Sequence, residues 1–237
     1  MKSRRIVFCV IITAILAILF LLPIFLVVKG GFWTEEGFTF KYLLGVFQNP
    51  IYAEGLVNSF AIAAGTTFLT ICIALPLAWL SHKYEFWGKG FFSALILVPM
   101  ILPPFVGAIG MTQILGRYGV LNALLGTSID WIGQARYFGV IVIQALTLYP
   151  ILYLNTTAAL ANIDPAMDEA AANLGCPGIK RFFKITLPLI MPGLFAGGTI
   201  VFIWSFTELG TPLMLNYTKC APVQVFDALK EIGSNPF

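Results

Sequence analysis

The residues best placed to do chemistry occupy one segment, 164–188, which mixes charged, small and apolar side chains in an order that membrane burial alone does not explain. It is the longest charged interval between two apolar runs. It therefore lies in water, while the runs on either side lie in lipid. We interpret the segment as a docking element whose chemistry is recognition of a partner, and the rest of the chain as the scaffold that holds it in place.

The start and the end of a short helix can be identified within this segment. Asp164 and Pro165 predict its first turn, because an aspartate side chain can cap the first free amides and proline is tolerated at the first helical position. Asp168 and Glu169 follow near the positive end of the helix dipole. Gly175 is placed to end the helix in a left-handed conformation. A helix of about ten residues is too short to be stable alone in water, so it needs a partner.

One face of this predicted helix is apolar. Met167, Ala170, Ala171 and Leu174 recur at i, i+3, i+4 and i+7, which places them on one side of the helix. The face is mostly alanine, which suits close approach to another surface. From these residues alone, an ordinary loop that contains a short surface helix remains the alternative interpretation.

A second set of candidates lies within the apolar runs. Glu208 is the one acidic residue in any of them, and a carboxylate there is costly unless it faces water or a partner, which makes it a candidate for a solute pathway. A structural hydrogen bond to a neighbouring helix is the alternative. Prolines interrupt the third run, so that helix should kink and leave carbonyl groups that neighbours or water must satisfy. The other pathway candidates are Thr207, Asn58, Pro99, Pro103 and Pro104.

The composition defines the class of protein. Of 237 residues, 59% are hydrophobic and 11% charged, whereas roughly a quarter of the residues in a soluble domain are charged. We therefore predict an all-α integral membrane protein with a single transmembrane domain over residues 1–237. At about 20 residues per spanning helix, the apolar runs predict five spans. They lie at about 6–28, 56–80, 91–115, 137–159 and 189–215, with a cytoplasmic loop at 161–188.

Charge and cysteine usage exclude several functions and set the orientation. The basic leader Lys2, Arg4 and Arg5 precedes the first span and predicts a cytoplasmic N-terminus. The net charge of +3 is dispersed, which argues against nucleic-acid binding. The four cysteines lack the spacing of a disulfide framework or a zinc site, so no metal is expected. No glycine-rich nucleotide loop occurs, so any ATP and Mg²⁺ would be bound by another subunit.

The spacing within the docking segment carries a family resemblance. A glycine follows the glutamate of Glu-Ala-Ala after six residues, an isoleucine follows after ten more, and Leu-Pro ends the segment. The residues are Glu169, Ala170, Ala171, Gly175, Ile185, Leu187 and Pro188. This pattern resembles the complete EAA signature of permease subunits of binding-protein-dependent ABC importers. Similar stretches at Asn58, 76–78, 98–105 and 119–122 extend the resemblance from about residue 58 to the C-terminus.

The resemblance implies a fold and a set of partners. The fold is the helical bundle of a type I ABC importer permease, with five spans visible and a sixth missing, so the chain would be truncated or the first half of a double-length permease. The helix at Asp164 to Gly175 would be the coupling helix, inserted into a cytoplasmic ABC ATPase. The chain itself would catalyse no reaction. A second permease half, an extracytoplasmic solute-binding protein and a bacterial inner membrane complete the implied assembly.

The solute and two rival functions stay open at this point. The stretch around Glu208 resembles the iron(III)-type subfamily, whose relatives handle polyamines, thiamine or aminoethylphosphonate, and a carboxylate favours a cation. An ion-driven secondary transporter is the first rival, but it would place charges in several spans. A membrane scaffold that transports nothing is the second.

Overall fold

The computed structural model describes residues 2–34, 37–132 and 135–230, and most of these residues lie in helices. The predicted all-α class is confirmed, since β structure in the described ranges is limited to two strands of two residues each. The chain divides into two compact units, Met1–Ala53 and Glu54–Phe237. The last residues, 231–237, lie outside the described ranges.

The first unit contains the long N-terminal helix and a small aromatic cluster. Its elements are α1 (Lys2–Phe32), β1 (Trp33–Thr34), β2 (Gly37–Phe38) and α2 (Lys41–Gln48). The two strands are antiparallel, with Trp33 opposite Phe38. The ring of Phe38 stacks on Phe32 at 6.0 Å and meets Phe40 edge-on at 5.0 Å. Contacts between aromatic rings therefore hold the chain where α1 ends.

The second unit is a helical bundle. Its first helix, α3, begins at the end of the first unit, and a π-helical segment joins α9 to α10. The elements are α3 (Pro50–Lys83), α4 (Lys89–Ile101), α5 (Pro104–Leu115), α6 (Val120–Leu125), α7 (Arg136–Ala161), α8 (Pro165–Asn173), α9 (Gly178–Arg181), the π segment (Phe182–Thr186), α10 (Leu187–Thr207), α11 (Gly210–Met214) and α12 (Ala221–Lys230).

Four helical stretches of the described chain are long and apolar enough to cross a membrane, or up to five if α4 and α5 form one bent span. The four are Phe8–Phe32, Pro50–Lys83, Arg136–Ala161 and Gly178–Thr207. They correspond to the first, second, fourth and fifth predicted spans. The prediction of a multi-pass helical membrane protein is therefore confirmed.

The third predicted span, 91–115, kinks as expected, and the break divides it into α4 and α5. The chain bends by 101° between Lys89–Ile101 and the helices that follow from Phe105. Leu102 between them is extended, with ψ 134, because a residue before proline is pushed out of the helical conformation. Pro103 and Pro104 then supply no amide to continue the ladder. Pro99, which was also expected to kink the span, lies inside α4 without ending it.

The fifth predicted span, 189–215, is displaced towards the N-terminus. A continuous helical stretch runs from Gly178 to Thr207, through the π segment and across Pro188, which was expected to start the span. Proline has no N–H, and the chain adjusts by a π turn in which the Leu187 amide donates to the carbonyl of Phe182. The helix ends before Glu208, which is extended at ψ 127.

Helix α7 lies at the centre of the second unit, against α10, α4 and α5. Its closest neighbour is α10, because glycines replace side chains at the contact. A Cβ atom at Gly193 would lie 2.6 Å from Cβ of Ala159, and one at Gly197 would lie 2.7 Å from Cδ1 of Leu152. The two glycines therefore permit a close backbone approach between two helices of the same chain.

Candidate functional site

The predicted start and end of the docking helix are confirmed in α8. The carboxylate of Asp164 accepts a hydrogen bond from the amide of Ala166 at 2.9 Å, and Pro165 occupies the first helical position. After Asn173 the chain turns at Gly175, whose φ is +76. The amide of Cys176 closes this turn by donating to the carbonyl of Ala171 at 3.0 Å.

One of the four residues of the predicted apolar face is buried within the protein. Leu174 is 89% exposed and Met167 47% exposed, whereas Ala171 is buried. Ala171 follows Asp168 by three residues, so the two share a side of the helix, and that side is turned towards the protein. Met167, Ala170 and Leu174 remain exposed beside Glu169.

An ion pair attaches α8 to the next helix. Nε of Arg181 lies 2.8 Å from Oδ1 of Asp168, and Nη1 of Arg181 donates to the backbone carbonyl of the same aspartate at 3.5 Å. The arginine side chain is only 16% exposed and the aspartate side chain 51%. Sequence reasoning did not identify Arg181, because its partner precedes it by thirteen residues and a turn lies between.

The π segment connects this ion pair to α3. Phe182 follows Arg181 and packs edge-on against the Trp79 ring, with the centroids 5.2 Å apart. The amine of Lys83 lies over the Trp79 ring, 4.8 Å from its centroid. The hydroxyl of Tyr153 donates to Oγ of Ser81 at 3.1 Å, which ties α7 to the same end of α3. We call this end of the bundle the α8 end.

The remaining residues of the signature lie where α9 passes into α10. Ile185 is half-buried within the π segment, and Leu187 packs on the buried cluster that contains Ile190 and Leu194. Pro188 is exposed in the first turn of α10. These residues therefore anchor the docking element in the bundle, whereas Glu169 and Ala170 are exposed.

A cavity of about 400 Å³ lies beside α8. Trp79 and Lys83 line it from α3, Leu160 from α7, and Asp168 and Arg181 from the ion pair. The cavity separates α8 from the ends of α3 and α7, so α8 rests on α9 and the π segment.

Towards the opposite end of the bundle, Glu208 occupies a break between α10 and α11. Both of its carboxylate oxygens accept from the amide of Thr211, at 2.9 and 3.1 Å. The side-chain amide of Gln144 donates to Glu208 at 3.2 Å. The structural hydrogen bond that was the alternative for Glu208 is therefore present, and the residue is half-buried.

Gln144 joins three helices around this break. Its side chain is 2% exposed, and its carbonyl oxygen accepts from the hydroxyls of Thr66 on α3 and Ser205 on α10. Sequence reasoning did not select Gln144 as a site residue. The signal was available, since an amide in the middle of an apolar helix needs partners.

The two helix breaks lie next to each other. A Cβ atom at Gly210 would be 3.4 Å from Cβ of Phe105, and 3.0 Å from the Glu208 carboxylate. Phe105, which directly follows Pro103 and Pro104 in the chain, therefore borders the same region as Glu208, while Pro99 lies before the break. The hydroxyl of Thr211 is buried there with no hydrogen-bond partner among the described residues.

The other pathway candidates make structural contacts. The Asn58 amide donates to the carbonyl of Lys219 at 2.9 Å, and Ser59 accepts from the amide of Ala221 at 2.8 Å, which fixes the start of α12. The Thr207 hydroxyl donates to the carbonyl of Ile203 at 2.9 Å, within its own helix. Asn58 therefore lies beside the loop after α11 and makes its hydrogen bond there, not with Glu208.

The spans, the exposed α8 and the broken helices define a polytopic helical membrane protein of the permease class. The family model for "Binding-protein-dependent transport system inner membrane component" matches residues 70–219, and the chain belongs to this family. The resemblance inferred from the EAA signature is therefore confirmed.

Curated relatives include permeases for different solutes. A probable molybdenum ABC transporter permease of Haloferax volcanii is 28% identical over 78% of this chain and 67% of its own length. The molybdenum transport system permease ModB of Haemophilus influenzae is 28% identical over 74% and 79%. The ferric transport system permease FbpB of Actinobacillus pleuropneumoniae is 30% identical over 73% of this chain, which spans 24% of that protein. Their similar identities leave the expected iron subtype unconfirmed.

Solved structures agree with the fold. A bacterial ABC transporter involved in the import of the acidic polysaccharide alginate matches with a TM-score of 0.75 at 17% identity, over 99% of this chain and 87% of that one. The same kind of transporter in complex with an alginate pentasaccharide-bound periplasmic protein matches with a TM-score of 0.76 at 18% identity, over 99% and 86%. The predicted fold of a type I ABC importer permease is confirmed.

Proposed function

We propose that this chain is the membrane-spanning subunit of an ATP-driven importer, which moves a small solute by alternating access coupled to a cytoplasmic ATPase. The observation that carries the proposal is the geometry of α8. It is a capped nine-residue helix on which Glu169, Ala170 and Leu174 are exposed. So short a helix is stabilised by what it contacts, and its exposed side is free to meet a second protein.

The orientation follows from this assignment. With α8 in the cytoplasm, the N-terminus is also cytoplasmic, in agreement with the basic leader, and the α11 end of the bundle faces outward. The solute-binding protein docks at that outward end. A second permease, either another copy of this chain or a related chain, completes the pathway.

The pathway itself passes the two adjacent breaks. Helices interrupted within a membrane expose backbone groups where a cavity or a solute satisfies them. Here the break at Leu102 borders the break at Glu208, and the hydroxyl of Thr211 has no partner among the described residues. A change in the contact between α5 and α11 would open or close this region.

For the solute we propose a small inorganic ion, with iron(III) first. The carboxylate of Glu208 beside the helix breaks favours a cation, and the ferric relative supports it. The molybdenum relatives favour an oxyanion as the second candidate. Metal analysis of the cognate binding protein separates the two. Bound iron supports the first, bound molybdenum overturns it in favour of the second, and an organic ligand overturns both.

The coupling proposal is tested in the complex that the chain forms with its ATPase, reconstituted in liposomes. Glu169→Lys should abolish stimulation of ATP hydrolysis by the binding protein, because it reverses the charge on the docking face. Glu85→Lys is the control, since Glu85 is an exposed acid on the same predicted membrane face but lies outside α8.

Two results would overturn the proposal. Stimulation that survives Glu169→Lys would remove α8 from the coupling path. A chain that co-purifies with no ATPase would favour an ion-driven transporter, if solute uptake continues without ATP, or a scaffold, if there is no uptake.

A further inference from the structure

Arg181 occupies the junction between the docking helix and the rest of the bundle. Three basic residues, Lys180, Arg181 and Lys184, follow one another in this stretch, and two of them are exposed. Arg181 alone of the three has its side chain largely buried, at 16% exposure, and turned onto α8. Lys180 and Lys184 therefore lie on the exposed surface, whereas Arg181 makes a contact within the protein.

Arg181 makes two contacts with α8, and both are with Asp168. Nε of Arg181 lies 2.8 Å from the Asp168 carboxylate, and Nη1 donates to the Asp168 backbone carbonyl at 3.5 Å. The planar guanidinium makes both contacts with a single orientation, which a lysine amine cannot reproduce. One contact fixes the side chain of Asp168, and the other fixes the helix backbone itself.

Among the described residues, this is the polar side-chain contact that attaches α8 to another helix. The cavity of about 400 Å³ separates α8 from the ends of α3 and α7. On the other side, Arg181 is followed directly by Phe182, which packs on Trp79 of α3. A displacement of α8 is thus transmitted to α10 through the continuous helical stretch Gly178–Thr207. It is transmitted to α3 through the contact between Phe182 and Trp79.

We infer that Arg181 is a positioning residue, which fastens α8 to the helix running from Gly178 to Thr207 so that movement of the ATPase enters α10 and α3 together. The inference rests on the proposed function, because it needs an ATPase bound to α8. It adds to that function a specific internal joint between α8 and the helix that follows it.

The test uses the full complex with its ATPase and binding protein, reconstituted in liposomes. Arg181→Ala and Asp168→Ala should each lower the stimulation ratio, which is ATP hydrolysis with binding protein divided by hydrolysis without it, by about fivefold or more, the usual scale of a coupling between sites. Arg181→Lys should recover part of the ratio. The double variant Asp168→Arg with Arg181→Glu should recover more than either of its single changes.

Two further readouts separate a joint from a general folding role. The ratio is measured per assembled complex, so a lower yield does not change it. The binding-protein concentration for half-maximal stimulation should stay the same, because that protein docks at the opposite end. The control is Glu85→Gln, which breaks the 2.6 Å pair with Lys89 at the same end of the bundle without touching α8, and should leave the ratio unchanged.

The outcomes distinguish the joint from the proposed function. If Arg181→Ala keeps full stimulation while Glu169→Lys abolishes it, the joint is refuted and the coupling role of α8 stands. If neither variant changes the ratio, the proposed coupling itself fails. A ratio lowered equally by Glu85→Gln would also refute the joint, because any loss of charge at this end would then be sufficient.

Discussion

The contact between α7 and α10 provides a sharp test of the fold, because a single methyl group should disturb it. A Cβ atom at Gly193 would lie 2.6 Å from Cβ of Ala159 and 3.3 Å from the backbone carbonyl oxygen of Asn155. Carbon atoms in contact lie about 3.5 to 4.0 Å apart. The two helices must therefore separate locally by about 1 Å, since neither obstacle can rotate away.

The expected change in stability follows from two opposing effects. Forcing a methyl group into a packed interface costs about 1 to 3 kcal/mol. Replacing glycine by alanine within a helix recovers about 0.5 to 1 kcal/mol. Gly193→Ala should therefore destabilise the protein by about 1 kcal/mol, and by at most about 2.5 kcal/mol. The matched control is Gly198→Ala on the same helix, where the new atom would meet only Cγ2 of Thr67, at 3.7 Å.

The measurement is thermal unfolding of the purified protein in detergent. Gly193→Ala should lower the Tm, and Gly198→Ala should leave it unchanged or raise it. Equal shifts for the two variants would refute the packing argument, because the distances at the two positions differ by more than 1 Å.

Three further predictions concern buried polar groups. Gln144→Leu should destabilise the bundle by about 2 kcal/mol, because its hydrogen bonds with Thr66, Glu208 and Ser205 are lost at about 0.6 kcal/mol each. Unfolding in detergent measures this change. Unchanged stability would show that these three hydrogen bonds do not stabilise the bundle. Burial raises the pKa of the Cys220 thiol to about 11, so a maleimide should modify Cys176 at pH 8 and reach Cys220 only as the pH approaches 11; rapid labelling of Cys220 at pH 8 would contradict its burial. Asn122→Ala should open the loop between α5 and α7 to protease, because the buried Asn122 amide donates to the carbonyls of Gly116, Arg117 and Ile129; wild-type resistance would show that the loop is held otherwise.

The docking helix could be predicted from the sequence because its signals are local. A cap, a first-turn proline and a terminal glycine act within a few residues, and all three have the expected geometry at Asp164, Pro165 and Gly175. The burial of Ala171 could not be predicted in the same way. It depends on how α8 packs on α9 and the π segment, which is set by the turn at residues 174–177.

The spans show the same division between local and distant causes. Two successive prolines made a disturbance near residue 103 predictable, but the 101° bend depends on what α5 packs against. The fifth span was placed too late because hydropathy continues past Glu208 and does not reveal a helix break. The bond between Gln144 and Glu208 joins residues 64 positions apart, which no pattern in one sequence reports.

The central claim, that α8 contacts an ATPase, is tested most directly by photo-crosslinking in the purified, reconstituted complex. A benzophenone amino acid in place of Leu174, which is 89% exposed on α8, should crosslink to the ATPase. The same group in place of Tyr118, which is 96% exposed on the loop between α5 and α6, should not. Crosslinking to the ATPase from Tyr118 but not from Leu174 would contradict the account.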